Sequence, residues 1–218
     1  MSSGILDPPE GYLPALFARV RAAGGLCVAD EVQSGFGRMG THLWGFDALG
    51  GVPDIVTLGK PIGNGHPLAA LVTRPEILRS LTQHNDVFST FGGNPVACAV
   101  GLAVLDVLER EGLRENALRV GAHLKTRLQE LAARHPLIGD VRGSGLIVGV
   151  ELVRDRESLE PAAQEAHAAM NHMREDGVLV GLTGMHGNVL KIRPPLAFSE
   201  LDAERLADAL DRALDALA

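Results

Sequence analysis

The sequence predicts an α/β protein, with part of a mostly parallel sheet and its helices followed by a small α+β unit. Short apolar runs that end on a polar residue, 26-LCVAD-30 and 54-DIVTLG-59, have the pattern of buried parallel strands. Helix-like and strand-like segments alternate through the first half, as a layered α/β sheet requires. Helical spacing then dominates from Pro95 onward, with strands returning in the last third. The boundary falls near Gly112, giving units of 1–112 and 113–218.

Each element has its own justification. Pro8 and Pro9 precede 12-YLPALFARVRAAGG-25, a helix closed by a glycine pair. The strand ending at Asp30 comes next, then a glycine-rich loop, the strand at 54–59 and a third strand, 68-LAALVTR-74. The segment 95-PVACAVGLAVLDVLEREG-112 is apolar almost all round at first and charged later. It predicts a helix buried at its start and emerging into solvent. Leu113, Ala117, Val120, Leu124, Leu128 and Leu131 mark a second long helix. Beyond it, 146-LIVGVELV-153 and 189-VLKIR-193 read as strands and 162–175 as a helix. The last helix opens at Ser199, an N-cap with Asp202 three residues on, and buries Leu206, Leu210, Leu214 and Leu217.

Composition narrows the function. The 218 residues, 46% hydrophobic and 22% charged, suffice for a full core. A formal charge of −7, with no run of Lys or Arg, argues against nucleic acid or an anionic membrane as a partner. The apolar stretches fall short of the roughly 18–20 residues that span a bilayer. No export signal opens the sequence, and Cys27 and Cys98 both lie in apolar surroundings. Buried free thiols and a cytoplasmic location are therefore expected. The 8 histidines form no HExxH pattern and there is no CxxC, so no metal is expected.

Four places can carry chemistry. Asp30, in 28-VADEVQSGFGR-38, ends a buried strand and is either a cap to a neighbouring loop or a functional carboxylate, since ligands of open α/β sheets bind beyond the carboxyl ends of strands. Alternation sends Glu31 the other way and returns Val32 to the face of Asp30, a platform for a flat cationic ring. Lys60, in 57-TLGKPIGNGHPLAA-70, is either a solvated loop amine or a nucleophile desolvated by its apolar flanks. Ser89 and Thr90, in 88-FSTFGGNPVA-97, precede a helix start that can bind phosphate or be an ordinary cap. Arg193, in 190-LKIRPPLAF-198, can grip a carboxylate or form a structural ion pair, whereas Arg142, in 141-VRGSGL-146, reads as structural.

In this order, DEVQSGFGR, TLGKPIGNGHPLAA, STFGGNP, VRGSGL and KIRPPL resemble the class III aminotransferases, fold type I enzymes of pyridoxal 5'-phosphate (PLP). The resemblance runs through essentially the whole chain. It implies that Asp30 pairs with the pyridine nitrogen of PLP, that Val32 packs on a ring face and that Gln33 lies near the phenolic oxygen. Lys60 forms the internal aldimine and then serves as general acid and base. Thr90 binds the cofactor phosphate, from the neighbouring subunit of a homodimer. Arg193 binds a substrate carboxylate. The implied reaction moves an amino group from an amino acid or amine to a keto acid or aldehyde. Phospho-lyase, racemase and aminomutase chemistry in the same family, or an inactive remnant acting as a binding partner, are the competing readings. Family members run to roughly twice this length, so the resemblance covers only their C-terminal half: the later part of the large domain and the small domain. It also implies sheet and helix faces left uncovered.

Overall fold

The structure, a computed structural model, describes residues 3–83 and 85–217. It divides into two compact units: Pro8–Gly37 with His42–Arg114, and Glu115–Ala218 with Met1–Asp7 and Arg38–Thr41.

The first unit carries α1 (Tyr12–Ala22), β1 (Val28–Asp30), α2 (Gly45–Ala48), β2 (Ile55–Leu58), a 3₁₀ turn (Lys60–Gly63), β3 (Ala70–Thr73), α3 (Pro75–Thr82) and α4 (Pro95–Arg110). β1 and β2 are parallel, with Asp30 opposite Thr57, while β3 runs antiparallel to β2. A connection through a single 3₁₀ turn holds no crossover helix, so it returns the chain antiparallel. Asp54 ties these elements together. Its buried carboxylate accepts from the Cys27 N–H (2.8 Å), from Arg21 Nε and Nη2 (3.3 and 3.2 Å) and from Arg74 Nη2 (2.9 Å).

The Cys27 N–H, reinforced by Arg21 and Arg74, holds the Asp54 carboxyl below the usual aspartate range. A depressed folded-state pKa contributes stability that is complete above the ordinary value of about 4 and is lost as pH falls through the folded value. Urea midpoints taken from neutral to acid pH should therefore fall more steeply for the native protein than for Asp54→Asn. Parallel curves would remove Asp54 from this role.

α4 departs from expectation at its start. Asn94 caps it, its Oδ1 accepting from the Ala97 N–H (2.9 Å), yet only Ala97, Gly101 and Leu108 are buried. A Cβ on Gly101 would meet Leu68 at 2.8 Å, so this face lies on the segment after the 3₁₀ turn. Val96, Leu102 and Leu105 of α4 are exposed, as are Val28, Leu71, Val72, Phe88 and Phe91, while Val100, Val104 and Val107 are half-buried. Cys98 is exposed as well, contrary to expectation, while Cys27 is buried and both are free thiols. Apolar neighbours in sequence do not by themselves bury a residue.

The second unit carries α5 (Leu113–Arg134), β4 (Ile138–Ser144), β5 (Ile147–Asp155), β6 (Glu160–Pro161), α6 (Ala163–Glu175), β7 (Gly181–Thr183), β8 (Val189–Ile192) and α7 (Glu200–Asp215). Its antiparallel sheet has the order β4-β5-β8-β7, with β6 beside β5. Alternate residues of the strands (Val148, Val150, Leu152, Leu190, Ile192) join Leu124, Leu128 and Leu131 of α5, Met173 of α6 and Leu210 and Leu214 of α7 in one core. Ser199 and Asp202 form the capping box that starts α7. On the other side of β5, Ile5 lies against Gly149 and is itself buried. Arg142 donates to the carbonyls of Gly4 (2.7 Å from Nη2) and Ile5 (2.9 Å), and Asp7 accepts from the Gly143 N–H (3.0 Å). Ser144 Oγ donates to the Met39 carbonyl at 3.0 Å. These long-range bonds group residues 3–7 and 38–41 with the C-terminal unit, which a linear boundary near Gly112 does not anticipate.

Helix α5 crosses the β4–β5 turn closely enough to need glycine. A Cβ on Gly121 would sit 2.2 Å from the Gly145 carbonyl oxygen. Backbone there cannot yield as a flexible side chain would, so Gly121→Ala should cost about 3 kcal/mol. A change in denaturation midpoint worth less than about 0.5 kcal/mol would show that the turn relaxes freely. Among the described residues no helix is long and apolar enough to cross a membrane.

Candidate active site

The parallel pairing of β1 and β2 sets their carboxyl ends side by side. Asp30 is the last residue of β1, and Lys60 follows the end of β2 by two positions. The Glu31 N–H continues the ladder to the Thr57 carbonyl (3.0 Å) before the chains diverge. Past that point Val32 turns back: its methyl groups would lie 3.5 and 3.8 Å from a Cβ on Gly59, the residue before Lys60. Asp30, Val32 and Lys60 thus all follow the carboxyl ends of two neighbouring parallel strands, where open α/β sheets bind ligands.

Asp30 is oriented by its own loop. Oδ1 accepts from the Val32 N–H at 3.1 Å, and the side chain is exposed. Glu31 does the reverse. It is buried and accepts from Ser34 Oγ (2.9 Å) and from the N–H groups of Gly45 (2.8 Å) and Phe46 (2.7 Å) at the start of α2. Phe36, buried with φ +59°, stands edge-on to Trp44 at 5.2 Å. A Cβ on Gly35 would lie 2.8 Å from the Glu31 carbonyl oxygen, so only glycine lets the loop fold this tightly. Sequence reasoning left Glu31 without a role; its signal was an acid at a strand end followed by a serine three residues on. Gln33, half-buried, continues from Val32 into this loop.

Lys60 sits in left-handed backbone, φ +40°, after an extended Gly59. A side chain there costs about 1 kcal/mol and persists where surrounding structure imposes it. Its side chain is exposed, so the desolvation expected from its apolar flanks is not supplied by this chain. Thr90 is exposed on the loop before α4, next to Ser89, whose Oγ accepts from the Gly92 N–H at 3.0 Å. The donor set suits a planar cationic ring bearing an aldehyde and a phosphate. The Lys60 amine can condense with the carbonyl, Asp30 Oδ2 can accept the ring N–H, Val32 offers an apolar face and Thr90 a hydroxyl.

Arg193 belongs to the C-terminal unit, one residue past β8, and lines a cavity there with Lys191 and Arg205. Arg38, of the same unit, donates through Nη1 to the carbonyls of Leu146 (2.9 Å) and Pro194 (2.6 Å). Burial, and next the charge of Arg193, lower its pKa to about 10. Elsewhere in this unit His135, Asp211 and Asp215 are, among the described residues, a grouping of possible metal ligands. Arg134 already supplies a cation to Asp211 (2.8 Å), and His135 Nε2 lies 2.6 Å from the same carboxylate, which is the make-up of an ion-pair cluster.

Comparison with known proteins gives these positions a context. The family model for class-III aminotransferases matches residues 2–214. A mitochondrial alanine–glyoxylate aminotransferase 2 homologue of Arabidopsis thaliana is 53% identical over 208 residues, 95% of this chain and 43% of that protein. The mitochondrial alanine–glyoxylate aminotransferase 2 of Homo sapiens is 42% identical, over 97% of this chain and 41% of its own. Among solved structures, an Arthrobacter phospholyase in complex with phosphoethanolamine superposes with a TM-score of 0.95 and 44% identity, covering 100% of this chain and 51% of that one. An amine transaminase from an uncultivated Pseudomonas species, in its PLP-bound internal aldimine form, gives a TM-score of 0.90 and 36% identity, over 99% and 50%. The chain thus spans less than half the length of these curated relatives. The expected cytoplasmic location is overturned, because the Arabidopsis and human relatives are mitochondrial proteins.

Proposed function

The chain belongs to the class-III aminotransferase family, whose enzymes depend on pyridoxal phosphate, and on that premise we propose that the protein is a transaminase using Lys60 and Asp30. The observation that carries the reading is the placement of both residues, with Val32 against Gly59, at the carboxyl ends of two parallel strands. Pyridoxal phosphate supplies the electron sink that lets an amino group leave one carbon skeleton and join another. Asp30 Oδ2 holds the proton on the ring nitrogen. The Lys60 amine anchors the cofactor's aldehyde carbon, and once released it moves a proton at the substrate's α-carbon. Val32 packs on one ring face and Gln33 orients the ring oxygen. Thr90 donates its hydroxyl to the phosphate, across a homodimer interface, and Arg193 takes a substrate carboxylate.

The names of the relatives suggest alanine as donor and glyoxylate as acceptor, giving pyruvate and glycine. Stoichiometric formation of both products by the purified protein with PLP is the expected result. Their absence, with other amino donors and keto acids also inert, would refute the transaminase reading. A second reading is favoured by the likeness to the Arthrobacter phospholyase: elimination of phosphate from a phosphorylated amine. Release of inorganic phosphate from phosphoethanolamine, without any keto acid added, would select it.

A further inference from the structure

The 3₁₀ turn that begins at Lys60 ends on Asn64 in left-handed backbone (φ +42°, ψ +47°), and Gly65 follows at φ +106°. Asparagine is among the few side chains that enter the left-handed region readily, and glycine takes the second angle at no steric cost. The turn therefore asks for Asn-Gly, a pair that sets a side-chain carbonyl carbon beside an unhindered backbone nitrogen. Both residues are exposed, and a Cβ on Gly65 would meet nothing within 4 Å. The hydrogen bonds of the turn leave Gly65 out: the Asn64 N–H donates to the Pro61 carbonyl (3.1 Å) and the His66 N–H to the Gly63 carbonyl (2.9 Å). Among the described residues, neither the Asn64 side chain nor the Gly65 N–H has a hydrogen-bond partner. The chain's other asparagines are held or blocked. Asn94 precedes Pro95, whose nitrogen carries no hydrogen. Asn116 and Asn171 lie within α5 and α6, where the next N–H belongs to the helix ladder. Asn85 Nδ2 donates to the Leu81 carbonyl (3.3 Å), and buried Asn188 donates from Nδ2 to the Leu152 carbonyl (2.9 Å).

We propose that Asn64 is a site of spontaneous deamidation, with the Gly65 nitrogen as the nucleophile. That nitrogen gives up its proton and bonds to the Asn64 Cγ, closing a succinimide ring. The Cγ–Nδ2 bond breaks, and ammonia leaves with the proton. Water then opens the ring at either carbonyl, giving aspartate or isoaspartate, and no oxidant or reductant takes part. Either product adds one negative charge four residues after Lys60, in a chain already at −7, and isoaspartate also routes the main chain through Cβ. The inference does not depend on the role proposed for Lys60.

Incubation of the 218-residue chain in neutral buffer, followed by peptic digestion in acid and peptide mass mapping, tests this. The peptide bearing Asn64 should gain about 1 Da, part of it as isoaspartate. It should do so at least about tenfold faster than any other asparagine, since Asn64 alone is followed by glycine, which lacks the Cβ that hinders attack. Alkaline buffer, which removes the Gly65 proton, should speed the gain. Because the fold leaves the pair open, the native rate at Asn64 should lie within about tenfold of the rate in urea-unfolded chain. Gly65→Ala, compared with the native sequence in urea so that folding is not at issue, should slow the reaction about tenfold or more. A native rate lagging the unfolded one by more than that margin would overturn the inference. So would a mass gain spread evenly over the other asparagines, or a Gly65→Ala chain that deamidates as fast as the native sequence.

Discussion

Replacing Lys60 with alanine should abolish transamination, by a factor on the order of 10⁴ or more, together with the Schiff-base absorbance seen on adding PLP. No second amine follows a neighbouring strand end: Lys125 donates from α5 to the Gly143 carbonyl (3.0 Å), and Lys191 lies on β8. The backbone at position 60 adds a second readout. With φ at +40°, alanine keeps the left-handed strain while glycine relieves it. Lys60→Gly should therefore be equally inactive yet about 1 kcal/mol more stable than Lys60→Ala. Residual turnover above about one per cent of the native rate in both variants would move the reacting amine elsewhere.

Asp30→Asn should lower kcat by on the order of 10²–10³-fold, the usual penalty for losing a preorganised electrostatic partner of the reacting system. The amide keeps the carbonyl oxygen that accepts from the Val32 N–H, so the turn after β1 should survive. What is lost is the negative charge that holds a proton on the ring nitrogen. Absorbance from Lys60 and PLP should still develop in this variant, which separates loss of charge from loss of the site. A kcat within about threefold of native would deny Asp30 that part.

Much of this was legible where local chemistry acts alone. Asp202 three residues after Ser199 is a capping box wherever a helix begins, and the Leu124–Leu128–Leu131 spacing buries one stripe in any packed setting. The ends of β1 and β2 were readable because apolar runs stop there, and with them the positions of Asp30 and Lys60. β4 (Ile138–Ser144) was not, since Gly139, Asp140 and Gly143 break its apolar pattern and the strand is defined by pairing with β5. The three-residue β7 is held by β8 in the same way. Burial was the least legible quantity. Cys98 and Lys60 have apolar sequence neighbours but are exposed, because what covers a side chain is another surface. Glu31 and Asp54 were passed over for the opposite reason: their partners, Gly45, Phe46, Cys27 and Arg74, are brought to them only by the fold.

The central claim, that Lys60 is the cofactor amine, can be put to one measurement because the chain has only three lysines, Lys60, Lys125 and Lys191. The protein is mixed with stoichiometric PLP, reduced with borohydride and digested, and the pyridoxyl label is located by peptide mass mapping. The account requires the label on Lys60, with Lys125 and Lys191 unmodified. Label shared among the three, or carried by Lys125 or Lys191 in preference, would contradict it.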